Sequence, residues 1–93
     1  MSSTLGLVGD LCVEAEWIWR RVCSLRRSME RCSDLVLLER LRNEVQQYVD
    51  RCLKIKEIKS LFAASIIKES YHWIFLNELT NRTLQEVSIM HNH

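Results

Sequence analysis

From Asp10 to His93 the chain contains neither glycine nor proline, and its only two glycines are Gly6 and Gly9. Hairpins and β-sandwiches consume turn residues at every chain reversal. A chain without them over most of its length is expected to be all-α. Ninety-three residues suffice for one domain, 1–93, with a modest core. The expected architecture is a small antiparallel three-helix bundle with a short fourth C-terminal helix.

Hydrophobic periodicity sets the expected boundaries. After a flexible start over 1–9, Asp10 serves as an N-cap for a helix over 10–31. Its apolar stripe is Leu11, Ala15, Ile18, Val22, Leu25, Met29 and Cys32. The spacing alternates four and three, a seam suited to packing along another helix at a shallow angle. Ser33-Asp34 breaks the pattern and caps a second helix, 34–58, whose stripe is Leu38, Leu41, Val45, Tyr48, Cys52 and Ile55. A third helix is expected over 60–79. The run "TNRT" then ends it, and Thr83 with Glu86 forms a capping box for the short helix 84–90. Folding the first two helices back at Ser33 brings Asp10, Glu14 and Glu16 toward Arg51, Lys54 and Lys56, with complementary signs, and Cys12 toward Cys52.

Bulk properties exclude several classes. Hydrophobic residues make up 47% and charged residues 27%, with a formal net charge of +1. That balance is globular, and it gives no overall field for polyanions. The start "MSSTLGLVGD" lacks the basic region of a secretory signal, so the four cysteines are expected to be reduced thiols in an intracellular protein, in cytoplasm or nucleus. The longest apolar region, "LFAASIIKESYHWIFL", is broken by Lys68-Glu69 and is shorter than the roughly 20 residues of a membrane span. No membrane association is expected.

The stretch "WIWRRVCSLRRSMERC" concentrates two tryptophans, five arginines and two cysteines in one helix. At about 100° per residue, Arg20, Arg27 and Arg31 line up opposite the apolar stripe. Trp17 and Trp19 fall on opposite flanks, so one neighbouring helix cannot cover both. Tryptophan and arginine are enriched among residues that anchor partners. An arginine face can also grip phosphates, but acids interleave the remaining basic residues, and no nucleic-acid-binding motif is present. Nucleic acid is the weaker alternative.

The third helix carries the stronger signal. Between Leu61 and Leu79, apolar residues point in every direction, with Phe62, Ile66, Trp73 and Phe75 the largest contributors of area. A helix apolar all round belongs in an interior, and two companion helices cannot enclose it. Left exposed, it would present an apolar patch that soluble monomers avoid. The expected function is a small helical interaction or assembly module that forms a homo-oligomer, most simply a dimer, or binds a protein partner. The expected partner residues are Trp17, Trp19, Arg20, Arg27, Arg31, Phe62, Ile66, Trp73 and Phe75. The alternative is a nucleic-acid-binding bundle using Arg20, Arg27 and Arg31.

No catalytic, metal or cofactor site is expected. The cysteines form no short-spaced pair of the kind zinc sites use. Cys52 and His72 could meet across two helices, but no glycine-rich turn is present to build an oxyanion site. No Glu-x-x-His motif of a di-iron bundle occurs, and loops long enough for a substrate pocket are missing.

Overall fold

A computed structural model describes residues 4–61 and 71–91. They form three α-helices and, among the described residues, no strand: α1 over Thr4–Glu30, α2 over Leu35–Leu61 and α3 over Tyr71–His91. Residues 1–3 of the expected flexible start and most of the first half of the expected third helix, including Phe62 and Ile66, lie outside the described residues.

Helix α1 begins well before the expected cap at Asp10, and both glycines lie inside it with no positive φ. The cause is packing. Val8 is 2% exposed and extends the apolar stripe one turn upstream of Leu11. Its burial offsets the helix-weakening entropy of Gly6 and Gly9. The turn after α1 closes with short-range bonds, Arg31 N to Ser28 O and Cys32 N to Met29 O, each 3.2 Å. Of the two candidate caps, Ser33 and Asp34, it is Asp34 that caps α2. Its Oδ1 accepts from the backbone N–H of Val36 at 2.9 Å and of Leu37 at 3.3 Å, while its carbonyl accepts from Leu38 N at 2.9 Å.

The expected break at "TNRT" does not occur, and the separate helix over 84–90 is instead the continuous last part of α3. Thr80 and Thr83 are buried. Their hydroxyls donate to carbonyls one turn back: Thr80 to Leu76 O at 3.0 Å, Thr83 to Leu79 O at 2.9 Å. A threonine satisfied in this way sits inside a helix and leaves its capping role unused. Glu86, the expected other half of the capping box, pairs with Arg26 of α1. Helix α2 also runs past the expected end at 58, through Ser60 to Leu61.

The core gathers Leu11, Ala15, Ile18, Val22 and Leu25 from α1, Val45, Cys52 and Ile55 from α2, and Leu76, Leu79 and Val87 from α3. Polar contacts tie the helices in a consistent order. Between α1 and α2, Glu14 meets Arg51 and Arg21 meets Glu44, so numbering rises on one helix as it falls on the other. Between α1 and α3, Cys12 meets the carbonyl of His72 and Arg26 meets Glu86, so the two helices stay in step.

Replacing the capping aspartate tests the start of α2. Asp34→Ala should cost about 1 kcal/mol of unfolding free energy and Asp34→Asn only a small part of that. Urea unfolding of both variants checks it; equal losses would show that the side-chain cap contributes nothing.

Candidate functional site

A concave surface lies between the first half of α1 and the first two turns of α3. It is an open groove of about 610 Å³, lined by Gly9, Cys12, Val13 and Glu16 on one wall and by Tyr71, His72, Ile74, Phe75 and Glu78 on the other. Each wall follows helical spacing. Positions 9, 13 and 16 stack on one face of α1, and positions 71, 74, 75 and 78 on one face of α3.

The lining is apolar and open to solvent. Tyr71 is 90% exposed, Val13 70%, Ile74 53% and Phe75 45%. The same helices turn their adjoining faces inward: Leu76 and Leu79 on α3, Leu11 and Ala15 on α1 are buried. Gly9 is part of the α1 wall. A Cβ built there would meet no atom within 4 Å, so the groove owes part of its depth to a missing side chain. Cys12 lies at the base, where its thiol donates to the His72 carbonyl at 3.2 Å, and burial pushes that thiol up from its ordinary value. Polar groups mark the ends. Glu16 Oε1 accepts from Arg20 at 2.8 Å and Glu78 Oε1 from Arg82 at 3.0 Å.

The sequence-predicted partner residues do not converge on one surface. Phe75 lines the groove. Trp73, one position from Ile74, turns partly into the core, with the Lys59 ammonium 5.5 Å from its ring centre. Trp17 stays exposed on the α1–α2 side, edge-on to Tyr48 with ring centres 5.5 Å apart. Trp19 is half-buried against the core. Arg20 is tied to Glu16 one turn back, while Arg27 and Arg31 are exposed near the far end of α1. Val13, Tyr71 and Ile74 were not picked out from the sequence as partner residues. Tyr71 and Ile74 belong to the apolar excess of the expected third helix, and Val13 carries its own signal as a large apolar residue off the α1 stripe, one turn from a glycine. A second exposed apolar cluster, Leu35, Val36 and Leu37, occupies the first turn of α2.

The remaining polar chemistry is structural. Arg21 grips Glu44 with two hydrogen bonds, 2.7 and 3.0 Å, and the Tyr48 hydroxyl donates to the same carboxylate at 2.8 Å. The Arg21 hydrogen bond holds the Glu44 carboxyl below its ordinary range, against the desolvation that would raise it. The four cysteines are unpaired. Burial pushes the Cys52 thiol up to about 11, which leaves it protonated and poorly nucleophilic at neutral pH. Cys52 lies by Thr83, whereas His72 is exposed at the groove and touches Cys12 through its backbone, so the sequence-level pairing of Cys52 with His72 is not formed. Among the described residues no three His, Cys, Asp or Glu side chains gather as a metal set, and no helix is long and apolar enough to cross a membrane.

No family model matches the chain, and comparison with curated proteins and with solved structures gives no match.

The Glu44 site makes a signed prediction. A carboxyl held below its ordinary value contributes stability above about pH 4.5, its unperturbed value, and that contribution is lost as pH falls through the lower folded value. Glu44→Gln should therefore be less stable than the parent chain at pH 7, with the gap closing as the solution is acidified below pH 4.5. Thermal unfolding across pH checks this; a gap independent of pH would mean the charge is not what matters.

The thiols make another. Alkylation of the native chain at neutral pH should label Cys32, which is only partly buried, well before Cys52, which should react only at the rate of unfolding. Peptide mapping after timed iodoacetamide treatment reads the order, and early labelling of Cys52 would contradict its burial.

Proposed function

We propose that the chain is a small antiparallel three-helix bundle acting inside the cell as a protein-docking module, with the α1–α3 groove as its docking face. The bundle reading is supported by the order of the interhelical contacts: opposite between α1 and α2, in step between α1 and α3. The docking role rests on one observation. Tyr71, Ile74, Phe75 and Val13 are large apolar side chains on a single groove, and all are exposed.

Scattered apolar residues on a surface are ordinary, but a contiguous concave group of them is what binding faces present. Removing such side chains from water is worth about 25 cal/mol per Å² of apolar area. Aromatic anchors near the centre of an interface commonly carry most of the binding energy. Helix faces supply the recognition here: an apolar row on the occupant at i, i+3 and i+4 spacing fits between the two walls. Among the described groove residues the thiol of Cys12 makes its hydrogen bond to the backbone carbonyl of His72. Burial holds that thiol protonated.

Gel filtration of native extract, with reductant present and the protein detected by antibody, tests the role. The chain should elute well above its 11.1 kDa mass. Phe75→Glu, which places a charge in the groove without touching the core, should return it to monomer size with its helical circular dichroism unchanged. Elution of both proteins as monomers would overturn the docking role.

A further inference from the structure

The groove's two ends differ chemically, and the difference selects an occupant. Resting on the docking role above, we propose that the groove is filled by a second copy of this chain. The two copies are related by a twofold axis that passes between them at Val13, Ile74 and Phe75, perpendicular to α1 and α3.

The centre of the groove is apolar and its ends are polar. Because α1 and α3 run in step, Glu16 and Glu78 lie together at one end, and Tyr71 and His72 lie together at the other. A perpendicular twofold lays the Tyr71–His72 end of one copy on the Glu16–Glu78 end of the other, and does so twice. The tyrosine hydroxyl and the imidazole N–H are donors in every ordinary protonation state, and carboxylates are acceptors. Each glutamate gives Oε1 to its own arginine, and a carboxylate offers about four acceptor positions, so capacity remains for the partner. The same two faces stacked in parallel would instead set Arg-paired glutamates against each other and leave the Tyr71–His72 donors facing donors, so neither end finds its complement. A twofold interface must be self-complementary, and this face is.

A specific interface buries about 800 Å² on each partner; the twofold would cover what Tyr71, Val13, Ile74 and Phe75 still expose, together with the groove rim. Gly9, whose missing side chain leaves open space, lets the opposing helix approach closely.

Light scattering behind gel filtration, on the purified full chain with reductant across a dilution series, is the test. The parent chain should show twice its 11.1 kDa mass at high concentration and move toward the single mass on dilution. Two charge-swapped chains then examine the register. His72→Glu sets glutamate against glutamate, and the double variant Glu16→Lys with Glu78→Lys sets lysine against the Tyr71–His72 end. Each alone should dimerise at least tenfold more weakly. Mixed in equal amounts, with one chain carrying a mass tag, they should form a heterodimer, since every end is then matched. His72 and Glu78 are exposed and Glu16 is half-buried at the groove rim, and circular dichroism is used to check that each variant is folded. A parent chain that stays monomeric at every concentration overturns the proposal. So do swapped chains that self-associate as tightly as the parent and show no preference for each other. If the purified chain is monomeric while native extract still shows a large, Phe75-dependent assembly, the second copy is excluded and the docking role stands with a different protein. Monomers in both experiments remove both.

Discussion

The fold depends on one apolar seam along α1. Of the thirteen buried hydrophobic side chains among the described residues, α1 supplies seven and α2 and α3 three each; α3 packs mainly against α1, and α2 rests on both of the other helices. The seam repeats every three or four residues from Val8 to Leu25, with Met29 packed at its end, which keeps one face inward for the helix's whole length. A chain this short gains only a modest core, and a second independent seam would need residues it does not have.

The polar contacts follow from that geometry. Once the seam brings the helices together, their flanks are side by side, and Glu14–Arg51, Arg21–Glu44 and Arg26–Glu86 close across them. Such partly exposed pairs contribute little net stability. Their value lies in setting which helix face meets which, and in what register. The other side of the same constraint is the groove. With α1 buried along one stripe and α3 turned to meet it through Leu76, Leu79 and Val87, no side chain among the described residues covers the side of each helix between stripe and solvent. Val13, Ile74, Phe75 and Tyr71 are what occupy that side.

The α1 and α2 stripes were legible in the sequence because burial there follows a single period. Leu11, Ala15, Ile18, Val22 and Leu25 are all buried, and so are Val45, Cys52 and Ile55. The Asp34 cap was legible because a short acceptor side chain before an apolar run has a local mechanism that needs no tertiary context. Helix ends governed by tertiary packing were not. Asp10 looks like a cap, but Val8 finds a place in the core and draws the helix upstream. Thr83 with Glu86 looks like a capping box, but the threonine hydroxyls turn to carbonyls within α3 and Glu86 finds Arg26. The groove was half legible. An excess of apolar residues on the third helix was visible and Phe75 was among those named. The opposing wall, with Gly9 and Val13, depends on how α1 and α3 align, which no local pattern encodes. The tryptophans lie outside the groove: Trp19 and Trp73 pack against the core, and Trp17, exposed, leans on Tyr48 of α2.

Residue-resolved amide hydrogen exchange tests the dependence on the α1 seam most directly. If one core joins all three helices, the slowest amides around Ile18 and Val22, around Cys52 and Ile55, and around Leu79 and Val87 should exchange with the same free energy, equal to that of global unfolding. If the α3 amides exchange with a distinctly smaller free energy while α1 and α2 stay protected, α3 is not held by the shared seam, and the account of the fold and of the groove built on it is contradicted.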